Sequence, residues 1–155
     1  MIIKGKIIEL INRNDIADKQ TIEISDSIIK KIDLLNCEIN EVLSIRNCII
    51  YEFDIHSCWL RKGLLFENNQ VHSYVDYQMG GHNEEIICFR RNIFFSFVNF
   101  FDCHFEHQIE LYENIFTKGT NLLGNQNEGF VNTFDKTPVI YGNIGALNAD
   151  GVGFD

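Results

Sequence analysis

Proline is nearly absent from these 155 residues, with a single copy, and basic residues are scarce, 13 against 22 acidic ones. The resulting charge of −9 works against a protein that grips nucleic acid by neutralising phosphates, so no direct nucleic-acid contact is expected. Five cysteines, an odd number with no Cys-x-x-Cys pair, fit a reducing compartment. No apolar run reaches membrane-spanning length. The first ten residues set Lys4, Lys6 and Glu9 among their isoleucines instead of forming the apolar core of a signal peptide. A cytoplasmic protein with no membrane partner is the expectation. Glycine-rich phosphate loops and serine-nucleophile motifs are missing as well.

Apolar residues are plentiful. They make up 45% of the chain, including 13 Phe, enough to bury the core of one domain and to argue against disorder. Their spacing is the main signal. Pairs of apolar or small residues with one residue between them begin at Ile22, Ser27, Ile32, Cys37, Leu43, Cys48, Phe53, Cys58, Leu64, Asn69, Val75 and Gly80. The series resumes at Ile87, Asn92, Val98, Cys103, Ile109 and Asn114. Alternate residues of a strand face opposite ways, so both members of each pair point inward and the residue between them points out. Four pairs sum to 21–23 residues, one coil with four short sides. Repeats this short must stack to bury anything. A helical bundle would require apolar positions at i, i+3, i+4 and i+7, which the chain does not sustain.

The fold expected is therefore all-β, a four-sided parallel β-helix (β-solenoid) of about five coils, forming a single domain over residues 1–155. Residues 1–20 read as an N-terminal cap, 21–125 as regular coils with a loop protruding at 78–86, and 126–155 as an irregular last rung and tail ending at Asp155. An uncapped solenoid would expose a strand edge.

Every fourth pair falls on the same side, so stacked columns can be read directly. One inward column is Ser27, Cys48, Asn69, Asn92 and Asn114, in which stacked amides can hydrogen-bond along the coil axis. Another is Cys37, Cys58, Gly80 and Cys103, read as core packing because no basic neighbour activates a thiolate. Outward, Asp33, Asp54 and Asp76 continue into Asn99 and Asn121. This row either solvates its side or imitates a polyanion. Ile28, Ile49, Gln70, Ile93 and Ile115 form an outward apolar strip of a kind that marks an interaction site unless Ile7, Ile8, Leu10 and Ile11 cover it. Trp59 and His104 share a side with Gly80-Gly81-His82, a recognition patch beside a loop.

The pairs Cys37-x-Ile39, Cys48-x-Ile50, Cys58-x-Leu60, Cys103-x-Phe105 and Asn114-x-Phe116 resemble the pentapeptide-repeat family over roughly two thirds of the chain. That resemblance implies a right-handed quadrilateral β-helix with one small and one bulky residue facing inward on each side. The family's sides keep strict five-residue steps and favour Ala-Asp/Asn-Leu, whereas this chain mixes fives with sixes and uses Cys, Asn and Phe. Some members are acidic dimers that imitate DNA and bind DNA gyrase, so the resemblance also admits that role. Cys103-His104-Phe105-Glu106-His107 is the densest cluster of catalytic residue types. Alternation points Cys103 and His104 opposite ways, so no metal, cofactor or enzyme activity is expected.

The functional expectation is a non-catalytic interaction module with a protein partner or a second copy. It would bind through Ile28, Ile49, Ile93 and Ile115, with Asp33, Asp54, Asp76 and Trp59 as further contact residues. The alternatives are an acidic DNA mimic and a small glycan-active β-helix enzyme. The register itself is testable. Phe105→Ala should destabilise by about 3–5 kcal/mol, whereas His104→Ala should change stability little. Equal losses at the two positions in a urea titration would overturn the assignment of faces.

Overall fold

The computed structural model describes residues 1–127 and 129–153, and in it the chain winds as a parallel β-solenoid. One side stacks seven strands, Ile2–Lys4, Thr21–Ser25, Val42–Arg46, Leu64–Glu67, Ile87–Arg90, Ile109–Tyr112 and Val139–Tyr141. Leu43 lies opposite Leu64, Leu64 opposite Ile87 and Ile87 opposite Ile109, giving coils of 21, 23 and 22 residues. A second sheet wraps the next two sides through Ile28–Asp33 and Ile49–Asp54, then as shorter pieces such as Gln70–Val71 and Val75–Asp76. The fourth side pairs Glu38–Ile39 with Trp59–Leu60 and His104–Phe105 with Thr133–Phe134. About five full coils lie between an incomplete coil at each end. Among the described residues no helix is long and apolar enough to cross a membrane.

Sharp corners between these short sides come from residues in the left-handed backbone region. Asp26, Asn47, Asn68, Arg91 and Glu113 have φ of 52–56° at one corner, and Asn36, Ser57, Met79 and Asp102 have φ of 50–56° at another. Asp and Asn tolerate this conformation better than other side chains. Each is followed by the small inward residue of its column, where the turning backbone leaves little interior space.

These corners also interrupt strand pairing, and the asparagine column repairs the loss. Asn92 Oδ1 accepts from the Asn69 N–H at 2.9 Å while its Nδ2 donates to the Phe66 carbonyl at 2.8 Å. Asn69 serves the Cys48 N–H and the Ile45 carbonyl in the same way, and Asn114 serves the Asn92 N–H and the Phe89 carbonyl. The ladder continues one coil further than the column read from sequence, to Asn143, which caps the Asn114 N–H and the Leu111 carbonyl. Asn69, Asn92 and Asn114 are fully buried.

Between the corners the interior changes from isoleucine in the early coils to phenylalanine in the later ones. Phe53 and Phe66 stack at 5.2 Å, Phe94 and Phe116 at 5.1 Å, and Phe105 and Phe134 at 5.5 Å. Tyr77, also fully buried, fills the space that Gly80 leaves. A Cβ on Gly80 would lie 2.3 Å from the Tyr77 ring.

Three expectations about the edges change. Residues 1–20 form a further coil that extends both sheets, because Ile2–Lys4 pairs with Glu23–Ser25 and Ile7–Asn12 with Ile28–Asp33. A four-residue helix, Arg13–Ile16, follows, capped by Asn12 and Asp15 and burying Ile16. Ile7 consequently stacks in line with Ile28 and does not cover the isoleucine side. The segment 78–86 does not protrude as a whole. Gly80 is buried, Gly81 bridges Trp59 and His104 in the ladder, and Asn83 is buried, leaving Met79 and, at a tight corner, 84–86 exposed. Val139–Tyr141 pairs with Glu110–Tyr112. Beyond it the chain returns across the Tyr74–Phe97 corner, where Tyr74 Oη donates to the Val152 carbonyl at 2.8 Å. The expected end of the tail, at Asp155, lies outside the described residues.

Asn92→Ala strands one buried N–H and one buried carbonyl, and should cost about 2–5 kcal/mol in urea unfolding. Asn68→Gly, at an exposed left-handed corner, should stay within about 0.5 kcal/mol.

Candidate functional site

Three outward surfaces carry the residues singled out from sequence. On the first, strand register places Ile7, Ile28, Ile49, Gln70, Ile93, Ile115 and Ile144 in one unbroken row. Ile7 is 73% exposed, Ile28 37% and Ile144 64%, with the inner isoleucines half-buried by their neighbours. Beside this row runs an aromatic stack that the pair pattern did not reveal. Tyr51 lies on His72 at 5.2 Å, and His72 on Phe95 at 4.8 Å. All three are exposed. Each sits two residues after Ile49, Gln70 or Ile93, so outward alternation carried one step beyond each pair would have found them.

The second surface holds the aspartate row. Asp33, Asp54 and Asp76 are in register, but each is engaged within the chain. Lys31 Nζ lies 3.4 Å from Asp33 and 3.0 Å from Asp54. Ion pairing with both carboxylates holds the Lys31 amine above its ordinary range. Asp76 meets His56 Nδ1 at 3.0 Å and accepts from Asn99 Nδ2 at 3.1 Å. Its side chain and those of Asp33 and Asn99 also accept from backbone N–H groups two residues on, at Gln78, Leu35 and Phe101. This is the local bond that favours Asp and Asn at turns. Asn99 and Asn121, expected to face outward, are buried. Asn121 Nδ2 donates to Asn99 Oδ1 at 2.7 Å and to the Gly151 carbonyl at 2.8 Å, so the returning tail closes that end of the row.

The third surface centres on Trp59. Glu38, Trp59, Gly81, His104 and Thr133 follow one another up the solenoid. Gly81 has φ +91°, and a Cβ there would lie 2.2 Å from the His104 carbonyl oxygen, so the column has a gap at this level. The His82 ring fills it, 4.5 Å from Trp59 and 5.5 Å from His104. The Arg61 guanidinium lies 5.1 Å from the Trp59 ring centre and bonds Glu38 Oε1 and the His82 carbonyl, both at 3.0 Å. His82 Nδ1 meets Glu106 at 2.9 Å, and His104 Nδ1 meets Thr133 Oγ1 at 2.6 Å. An open groove of about 560 Å³ runs past Trp59, His82, His104, Met79 and Arg13. It offers a stacking platform with an ionisable rim. Arg61 was not singled out from sequence, although it too stands two residues beyond the outward Trp59, and Glu106, read from sequence only as part of the 103–107 cluster, stands likewise beyond His104.

Nucleophilic chemistry finds little support in the thiols. Burial pushes the Cys58 and Cys103 thiols far up, and those of Cys37 and Cys48 up as well. Burial and then the Glu110 carboxylate raise Cys88 to about 11. Cys103 Sγ–H donates to the Tyr77 carbonyl at 3.0 Å. Among the described residues, no group of three or more His, Cys, Asp or Glu side chains is arranged to hold a metal ion.

No protein-family model, no curated protein and no solved structure matches this chain.

These thiols should be slow. At pH 8 the folded protein should react with a disulfide reagent about 10²-fold more slowly than the unfolded chain, with half-exposed Cys88 first. A thiol labelled in the folded state at the unfolded rate would reveal an activated cysteine and overturn this assignment.

Proposed function

We propose that this chain is a non-catalytic interaction module, of pentapeptide-repeat-like type, that associates through its isoleucine side. One observation carries the reading. A row of isoleucines interrupted at Gln70, flanked by a stacked Tyr51–His72–Phe95 column, faces outward with no segment of the described chain laid across it. Exposed apolar area of this extent marks association surfaces in soluble proteins. Each isoleucine taken fully out of water contributes about 1.5–3 kcal/mol. The likeness to pentapeptide-repeat proteins is supported by the alternation of small corner residues with bulky inward ones. The Trp59 groove is a secondary recognition surface in this reading.

Light scattering of the native chain against Ile93→Asp tests it. The native mass should rise toward twice that of the chain at tens of micromolar. Ile93→Asp should hold it at the single-chain value with an unchanged unfolding midpoint, since that side chain points outward. A native monomer at every concentration, or a dimer indifferent to the substitution, would overturn the reading.

A further inference from the structure

The isoleucine row reads the same from either end. Counting coils along it gives Ile7, Ile28, Ile49, Gln70, Ile93, Ile115 and Ile144, three isoleucines on each side of one glutamine. The neighbouring column repeats this symmetry about the same coil, with aromatic Tyr51 and Phe95 on either side of His72. Stacking within one chain does not call for a palindrome, because each side chain there meets only the next coil. A twofold contact between identical faces does, because it places each position against its mirror position in the row.

Resting on the interaction reading above, we infer that the partner is a second copy of this chain, docked face to face and antiparallel, with Gln70 on the twofold axis. Such an axis lies in the plane of the face, across the coil direction, and turns one solenoid end over end while keeping each column opposite itself. Ile49 then meets the partner's Ile93, Ile28 the partner's Ile115, and Ile7 the partner's Ile144. Tyr51 meets the partner's Phe95, and His72 its own copy. At the centre the two Gln70 amides each supply a donor and an acceptor, so they can satisfy one another. A one-coil slip would set Gln70 against an isoleucine and leave its amide unpaired. A single polar residue in an apolar seam fixes the register of coiled coils by this mechanism.

Charge agrees with this arrangement. Lys30 and Glu9, which pair with each other at 2.9 Å, are set opposite the neutral Thr117 and Ala146 rows. The parallel alternative with its axis along the isoleucine row lays Tyr51, His72 and Phe95 over the partner's polar corner of Asn47, Asn68 and Arg91. It therefore leaves the aromatic column without an apolar counterpart. The antiparallel form brings Asp26 against the partner's Glu113 twice, once at each end, a like-charge contact at exposed rim positions. Added salt should therefore tighten the dimer. Seven rows at about 4.8 Å and two columns in width give a footprint of roughly 30 Å by 15 Å, on the order of 450 Å² per copy. That lies at the low end of specific interfaces, where association is weak and concentration-dependent.

Cysteine pairing reads the register directly. In a Cys88→Ser background, Gln70→Cys, Ile28→Cys and Ile115→Cys are treated at tens of micromolar with a short bismaleimide linker, with one of each mixed pair carrying a mass tag. Gln70→Cys should form covalent dimer alone. Ile28→Cys and Ile115→Cys should each do so at least tenfold less than their mixture does. Efficient linking of Ile28→Cys to itself, without linking in the mixture, would establish a parallel dimer and overturn the inference while leaving the isoleucine side as the interface. Linking at all positions alike would overturn the role of Gln70. A dimer that survives Ile93→Asp, or no dimer at all, would instead remove the interaction reading on which the inference rests.

Discussion

Corner peptide groups are the constraint on which this structure depends. A coil of about 22 residues must turn four times, and at each turn the backbone leaves the strand ladder while still surrounded by apolar side chains. An unpaired buried N–H or carbonyl costs about as much as several good packing contacts contribute. Along one corner, Asn69, Asn92, Asn114 and Asn143 resolve this by each lending an amide that accepts from the preceding coil and donates to its carbonyl, so the polar ladder and the phenylalanine stack grow together. Asn132 begins the same arrangement at the opposite corner, accepting from the Cys103 N–H at 2.8 Å. The left-handed residue before each small residue completes the turn.

The three outer surfaces follow from that scaffold by alternation alone, yet they end in different chemical states. The aspartate side is occupied by its own chain. Lys31, His56 and the Asn99–Asn121 pair take up its oxygens, and the tail at Gly151 closes one end. Around Trp59, a glycine that cannot carry a Cβ opens a place for His82, and Arg61 and Glu106 tie the rings together. Among the described residues the isoleucine side has no comparable internal partner, which makes it the surface from which the functional proposal starts.

Where the reading of sequence fell short, the misses have a common origin. Pairs of inward residues were legible because burial punishes any polar residue left there without a partner. Residues just past a pair stood out less, because an outward position tolerates polar and apolar side chains alike. Tyr51, His72 and Phe95 belong to this class, as does Arg61. Asn99 and Asn121 failed in the opposite sense. Their outward parity was read correctly relative to the coil, but Asn121 lies on Asn99, and the chain at Gly151, 30 residues beyond Asn121, returns to bond it.

From the sequence alone came the architecture. Apolar positions at steps of five and six, one inward residue on either side of an outward one, can bury a core only by coiling at 21–23 residues. The asparagine and isoleucine rows follow from counting in fours. Tertiary structure alone decided which rows remain accessible. Whether the first twelve residues cover the isoleucine side or extend it depends on strand edges bonding to the next open edge, and the open edge above Ile28–Asp33 takes Ile7–Asn12. Counting along a chain fixes which side chains share a face, but only packing between segments distant in sequence fixes what lies over it.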